Sequence, residues 1–461
     1  MTFEPIIADI RFGCGLAPHI AAPSSLQAIL DGLTEPDRMS IRFPIPSYAK
    51  FRDRLKIRAE LQGQLKASRG TDQAADVREN IRLMNAEAYR DQLQWLAVHL
   101  VRRSHSETPF LERLEGFWAD HFTAAGKGGL IRRAASPYTE SAIRPKMAGR
   151  FEDLLISAVT HPLMLHYLDQ QQSVGPNSVR GKKAPGKFGL NENLAREVME
   201  LHTLGVDGPY TQDDVTQMAA LLTGLKSNNK TGRKFLLGQA EPGLKVVLGK
   251  TYGHDAPSFG DIEAVLRDLA RHPATARHLA RKLAVHFVSD APDPDLVRAI
   301  AAAWIDSDGL LTHVYEALLS HPAAWTETAV NVKRPFDFVA SACRALAVSA
   351  PTLLQMEDKD MRRRFLGPLS LMGHVWQQPN GPDGLEEADS AWITPQGIAA
   401  RLQWAMAVPQ MLVSQLPDPR QFVETALGPK VPERVRFAAA AAESRSDGIG
   451  LVLASPAFQR M

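Results

Sequence analysis

The chain has 461 residues, 44% of them hydrophobic and 23% charged, the composition of a folded protein with ample material for a core. Its 53 basic and 51 acidic residues leave a net charge of +2, so nothing electrostatic points to a nucleic acid or another polyanion as partner. Two cysteines, Cys14 and Cys343, form neither a CxxC pair nor a zinc spacing, which excludes a disulfide framework. Two unpaired buried thiols are expected, with a single bridge as the alternative.

The opening "MTFEPIIADIRFGCGLAPH" carries Glu4 and Asp9 where a signal peptide would have a basic head and an apolar run. No stretch reaches the ~18 to 20 apolar residues of a membrane span. A cytoplasmic location is therefore expected, or a periplasmic one if the chain is carried out with a partner. Ser47 and Lys50 in "SYAK" fit only the short SxxK pattern. From Ile81 to Phe122 the apolar spacing is helical, through Leu83, Tyr89, Leu93, Leu96 and Leu100, with Pro109 suited to a helix start. "GKGG", Gly126 to Gly129, breaks it. Gln170 to Lys187 reads as a long exposed loop whose "RGKKAPGK" is a solvated basic cluster.

The central stretch "GLNENLAREVMELHTLGVDGPYTQDDVTQMAALLTGL", Gly189 to Leu225, reads as two amphipathic helices. Asn191 is a good N-cap, Leu194, Val198 and Leu201 share an apolar stripe, and Gly205 ends the first helix. Asn193, Arg196, Glu197 and Glu200 gather on the other side, where Arg196 can pair with Glu192 or Glu200 at a four-residue spacing. Thr211 and Asp214 make a capping-box start for the second helix. Periodicity alone leaves two readings of the polar face: solvated, or turned into a crevice that ties elements together or binds a ligand.

"RKFLLGQAEPGLKVVLGKTY" follows, with apolar runs Phe235–Leu237 and Leu244–Leu248 around Glu241-Pro242-Gly243, a hairpin signal. Helical patterning returns past Asp261 and continues to the end, interrupted by "QQPNGPDGLEEADSAWITP", Gln377 to Pro395. The expected fold is mainly α, one helical body over residues 1–461 with a short hairpin insertion. Sub-lobes 1–225 and 261–461 would be joined by segment 226–260. Three helix ends run into His-Pro, at His161, His272 and His321, and "LVLASPAF" repeats the phrase with Ser-Pro. Proline disfavours helix in the residue before it and suits the first position of the next, so these are corner residues between helices.

The central stretch resembles the signature of the bacterial family catalogued as domain of unknown function 1800. Further blocks agree in order: "FWADHFTAA", "HPLMLHYLDQQQSVG", "LARKLAVHFVSD", "WITPQGIAARLQWA" and "LASPAFQ". The resemblance spans about Arg11 to Gln459 and implies a mostly helical, single-chain architecture with no agreed activity. It also implies a candidate partner, a sulfatase-like protein of the family domain of unknown function 1501, whose genes often neighbour this family's. The family's HD-x-G-x-K block is eroded here into "SNNKTGRK", and His254-Asp255 in "YGHDAP" is out of register.

Two functions follow as expectations. The first is a helical protein-interaction or maturation partner of another protein. The alternative is a metal-dependent or acid–base enzyme that uses the central motif, with Asn191, Asn193, Arg196, Glu197, Glu200, Thr211 and Asp214 as candidates. His121, Glu197 and Glu200 are the better metal trio, since His202 falls on another side of the helix from Glu200. Arg196 beside the acids argues against a cation there. Arg196 and Glu200 are expected to be largely buried. "GPNSVRGKK" misses the P-loop spacing, and no GxSxG, HExxH or GxGxxG stands in strand–helix context.

Overall fold

Apolar periodicity is realised as helix over most of the chain: the computed structural model, which describes residues 3–228 and 232–461, is 63% helical. Helix α1 is Tyr48–Ala67, started by Ser47, whose hydroxyl accepts from the Lys50 N–H; this is the role of "SYAK". Helix α2, Gln73–His105, runs for 33 residues. Its first half lies at the surface, whereas from Gln92 to Ser104 nearly every side chain is buried, His99, Arg102 and Arg103 included. A charge surrounded by protein needs partners. Arg102 has them: it donates to the Phe43 carbonyl and to both oxygens of Glu140.

Helix α3, Pro109–His121, begins on proline as the sequence indicates and brings buried Glu112 against Arg144 at 2.6 and 3.0 Å. Arg144 also grips Asp37, so one guanidinium ties three segments together. Helix α4, Phe151–Val159, and helix α5, Asn193–Glu197, follow. α5 passes directly into a π-helical turn, Val198–Thr203. Helix α6 is Gln212–Leu221, started by the Thr211/Asp214 capping box.

The strands correct one expectation. Phe235–Leu237 does not pair with Leu244–Leu248; two separate antiparallel hairpins form instead. Strand β1 (Leu225–Asn228) pairs with β2 (Gly232–Phe235), and β3 (Lys245–Val247) with β4 (Lys250–Tyr252). Leu248 and Gly249 close the second hairpin, both at positive φ, the conformation a two-residue type I′ turn demands. Glu241-Pro242-Gly243 is no strand turn. It wraps the Lys245 ammonium, which donates to all three of its carbonyls. Of the eroded "SNNKTGRK" block, residues 229–231 lie outside the described residues.

Helices α7 (Phe259–Arg271) and α8 (Pro273–Phe287) meet at His272; later come α9 (Pro335–Ala345), α10 (Pro395–Ala407), α11 (Glu433–Ala441) and α12 (Arg445–Ala454). The corners share one device. Nδ1 of His161, His272 and His321 accepts the N–H of Leu163, Ala274 and Ala323, the first donor past each proline. Ser455 caps the last corner with its hydroxyl, which accepts from Phe458, the second donor past Pro456.

One core cluster runs from Ala8 to Phe458, and α9, buried along its whole length, packs on α2. Residues far apart in sequence therefore share one interior. Cys14 and Cys343 are both buried and unpaired. Among the described residues no helix is long and apolar enough to cross a membrane.

Candidate functional site: a buried ionic cavity

Where α2, α3, α8 and α9 meet, the interior is not filled. A cavity of about 140 Å³ remains, walled by His99 and Arg103 from α2, by Arg113, Glu115, Gly116 and Asp120 from α3, and by His286 from α8. Arg334, Phe336 and Asp337 come from the start of α9, and His374 to Pro379 from the segment before α10. Burying so many charges is expensive unless each is answered. Most are. Arg103 pairs with Asp337, and Arg334 stands 2.7 Å from Asp120 and 2.8 Å from Glu387. His286 Nδ1 lies 3.0 Å from Glu387.

Two close approaches hold this arrangement. The Arg103 guanidinium lies against the α3 backbone at Gly116, where a Cβ would meet Nη2 at 2.2 Å. A mid-helix glycine destabilises by roughly 1 kcal/mol relative to alanine, but here no side chain fits. Gly384, at φ +83°, lets the 377–395 segment come down on Asp120, which accepts the Leu385 N–H at 2.9 Å. The Gly/Pro-rich interruption of the helical pattern is thus a wall of the cavity.

Two groups are not answered. Arg113 is fully buried and makes no ion pair; it donates to Met461 Sδ and contacts His286 Nε2 at 3.4 Å, and its Nε has no partner. Burial pulls its pKa down. Glu115 is buried with no hydrogen bond to its carboxyl, which sits 3.7 Å from His99 Nδ1. Burial pushes Glu115 up, whereas it pushes His99 down to about 3. Asp337 behaves differently: burial works against its charge, but Arg113 and Arg103 hold it well below the usual carboxylate range. The cavity therefore holds carboxyls of opposite tendency beside a guanidinium that feels the Asp337 charge but makes no direct ion pair, the kind of divergence that acid–base sites use.

The central motif lies elsewhere, and its residues do different work. Asn191 caps α5 by accepting the Asn193 N–H at 3.0 Å, while its own amide donates to the Asp169 carbonyl. Asn193 is exposed, on the rim of an open groove that also includes Arg180, Lys187 and Lys226. Arg196 bonds Glu192, Glu200 and Gln212, lacing α5 to α6. The expectation that Arg196 and Glu200 are largely buried is corrected: their side chains are 39% and 22% exposed, because the ladder lies along the outer seam of two helices. Thr211 stays in its cap. Asp214 adds a second bond, to the Leu248 N–H at 2.7 Å, and so anchors the β3–β4 turn.

The proposed metal trio is not gathered. Among the described residues no group of three or more His, Cys, Asp or Glu could hold a metal ion. His121 is occupied on both sides: Nε2 donates to the His202 carbonyl, and Nδ1 accepts from Lys282 Nζ at 3.2 Å. The π turn at Val198–Thr203 rotates His202 into the core, where neither ring nitrogen has a partner. Glu197 has no hydrogen bond; burial, then Glu200 and Asp383, push it up to about 6. His254 contacts Asp261 at 3.1 Å instead of contributing to a site.

Sequence reading missed Arg103, Arg113, Glu115, Arg334 and Asp337, which stand among other charges, as in "RR", "ERLE" and "KRPFD". No local pattern sets them apart, because the partners of Arg103 and Arg334 lie 234 and 214 residues away. No curated protein and no solved structure matches the chain. The family model described as protein of unknown function (DUF1800) matches residues 11–460. With nearly its whole length inside that match, cavity and central motif together, the chain belongs to this family.

Proposed function

We propose that the protein binds a small anionic molecule in the buried cavity and performs acid–base chemistry on it, with Glu115 and His99 as the proton-handling groups. The observation that carries this reading is Arg113, a fully buried guanidinium on a cavity wall with no carboxylate in ion-pair distance. An anion delivered to that point gains a charge-assisted hydrogen bond in a low-dielectric setting. The enzyme alternative thus moves from the central motif to the cavity. Thermal unfolding with acetate, succinate, phosphate or sulfate tests it. At 100 times Kd a bound anion adds about 2.7 kcal/mol, and Arg113→Met should abolish the rise in Tm. No rise with any of the four anions, or an equal rise in Arg113→Met, overturns it.

A second reading keeps the protein-interaction or maturation role, with a sulfatase-like protein of the family domain of unknown function 1501 as partner. It is supported by Ile398, Leu402, Phe437 and Leu451, large apolar residues exposed on α10, α11 and α12, helices that pack on one another through α12. Sedimentation of the purified pair, compared with Phe437→Glu, tests it; two separate boundaries for the native proteins sink it.

A further inference from the structure

We infer that Ser136, His99 and Glu115 form a nucleophile, base and orienting carboxyl beside the cavity, suited to hydrolysing a small ester whose acid group rests on Arg113. The inference rests on the cavity reading above and names its substrate class. Ser136 lies in the short helix Ala135–Tyr138, His99 on α2 and Glu115 on α3, so three elements converge. His99 Nε2 is 3.2 Å from Ser136 Oγ, and His99 Nδ1 is 3.7 Å from Glu115 Oε1. All three residues are buried.

The hydrogen bonds give the group a direction. Gln377 Nε2 donates to Ser136 Oγ at 2.6 Å. The hydroxyl must then give its own proton elsewhere, and its other partner is His99 Nε2. In that tautomer the imidazole proton is on Nδ1, the nitrogen facing Glu115. A serine donating to an imidazole that a carboxyl approaches from the other side activates the hydroxyl once the 3.7 Å contact closes to a hydrogen bond.

His99, Glu115 and Gln377 line the cavity; Ser136 sits one hydrogen bond behind Gln377. Gln377 is held at φ +54°, in the left-handed region that a residue with a side chain seldom adopts, and its Oε1 has no partner. A substrate carbonyl entering here meets the amide that now covers the hydroxyl.

The steps balance. Ser136 Oγ bonds to the ester carbonyl carbon as its proton passes to His99 Nε2, and the Gln377 amide donates to the oxygen that gains charge. The C–O bond to the alcohol breaks, and the alcohol leaves with the proton from His99. Water then attacks the acyl-serine, giving its proton to His99, which returns it to Ser136 Oγ as the acid departs.

The full chain incubated with a small alkyl fluorophosphonate tests this by intact mass and peptide mapping. One phosphonyl adduct is expected, on Ser136, formed at least tenfold more slowly in His99→Ala and absent in Ser136→Ala. Glu115→Gln should slow it and Glu115→Asp restore it, a rescue that a purely structural role does not produce. Ser136→Cys should react with chloroacetamide at position 136, while Cys14 and Cys343, pushed up by burial to about 11 and about 12, stay unmodified. No adduct on Ser136 of the native chain, or one undiminished in His99→Ala, overturns the inference. If Arg113-dependent anion binding persists while Ser136 is inert, this inference falls alone; if both fail, the cavity reading falls with it.

Discussion

The central motif and the buried cavity are built from the same residue types and come out opposite. In the motif the charges are close in sequence, spaced by four along one helix, and half open to water; Arg196 meets Glu192 and Glu200 as any helix-surface ladder does. In the cavity they are scattered from His99 to His374, and folding alone brings them together. Local density of charge marks a place where helices can be laced at little cost. A buried charge whose answer lies far along the chain marks a place where the fold has to supply a partner, and there each missing partner is costly.

Asp337→Ala is the strongest way to break this contrast. It strands the Arg103 guanidinium beside Arg113, and the expected loss is about 3–5 kcal/mol by urea denaturation. A loss no larger than for a surface pair would erase the distinction. Glu197 stands between the two regions and sharpens it. With its pKa raised to about 6 from 4.5, the folded protein keeps a proton that the unfolded chain has released, so native stability falls as pH rises through that window. Glu197→Gln should therefore be more stable than the native chain at pH 7, by about 1 kcal/mol once solvent screening is allowed for. The gap should close below about pH 4.5, where both states are protonated. A variant less stable at neutral pH would give Glu197 a partner that the structure does not show. The smallest effect belongs to Arg196→Ala, about 0.5 kcal/mol by the same denaturation, since its bonds lie in solvent reach. A loss of several kcal/mol there would make the motif an interior element after all.

Much of the fold could be read from local physics. Pro109 opens α3, Thr211 and Asp214 cap α6, and the three histidines turn corners, because each of these depends on atoms a few residues apart. The hairpin was misread for a reason the structure supplies. Glu241-Pro242-Gly243 has turn chemistry, but its carbonyls are taken by the Lys245 ammonium, and the reversal moves to Leu248-Gly249, where the Leu248 N–H finds Asp214. A side chain 34 residues away decided the turn. The cavity was illegible on the same principle. Nothing in the α2 sequence says that Arg103 will meet Asp337, a separation of 234 residues. The π turn after α5 likewise changes which face His202 takes, and a constant helical period cannot anticipate that.

The His-Pro corners carry a consequence for protonation that reaches the whole chain. Each imidazole starts a helix by accepting an N–H at Nδ1, so its single proton must sit on Nε2. A serine or aspartate in that place would be indifferent to tautomer. Add a proton to the ring of His161 or His272, and the acceptor becomes a donor pointed at another donor, so the corner and the imidazolium oppose each other. At those two bends the direction in which the chain turns works with burial, and with the charges of Arg233 and Arg277, against the charge of a titratable group.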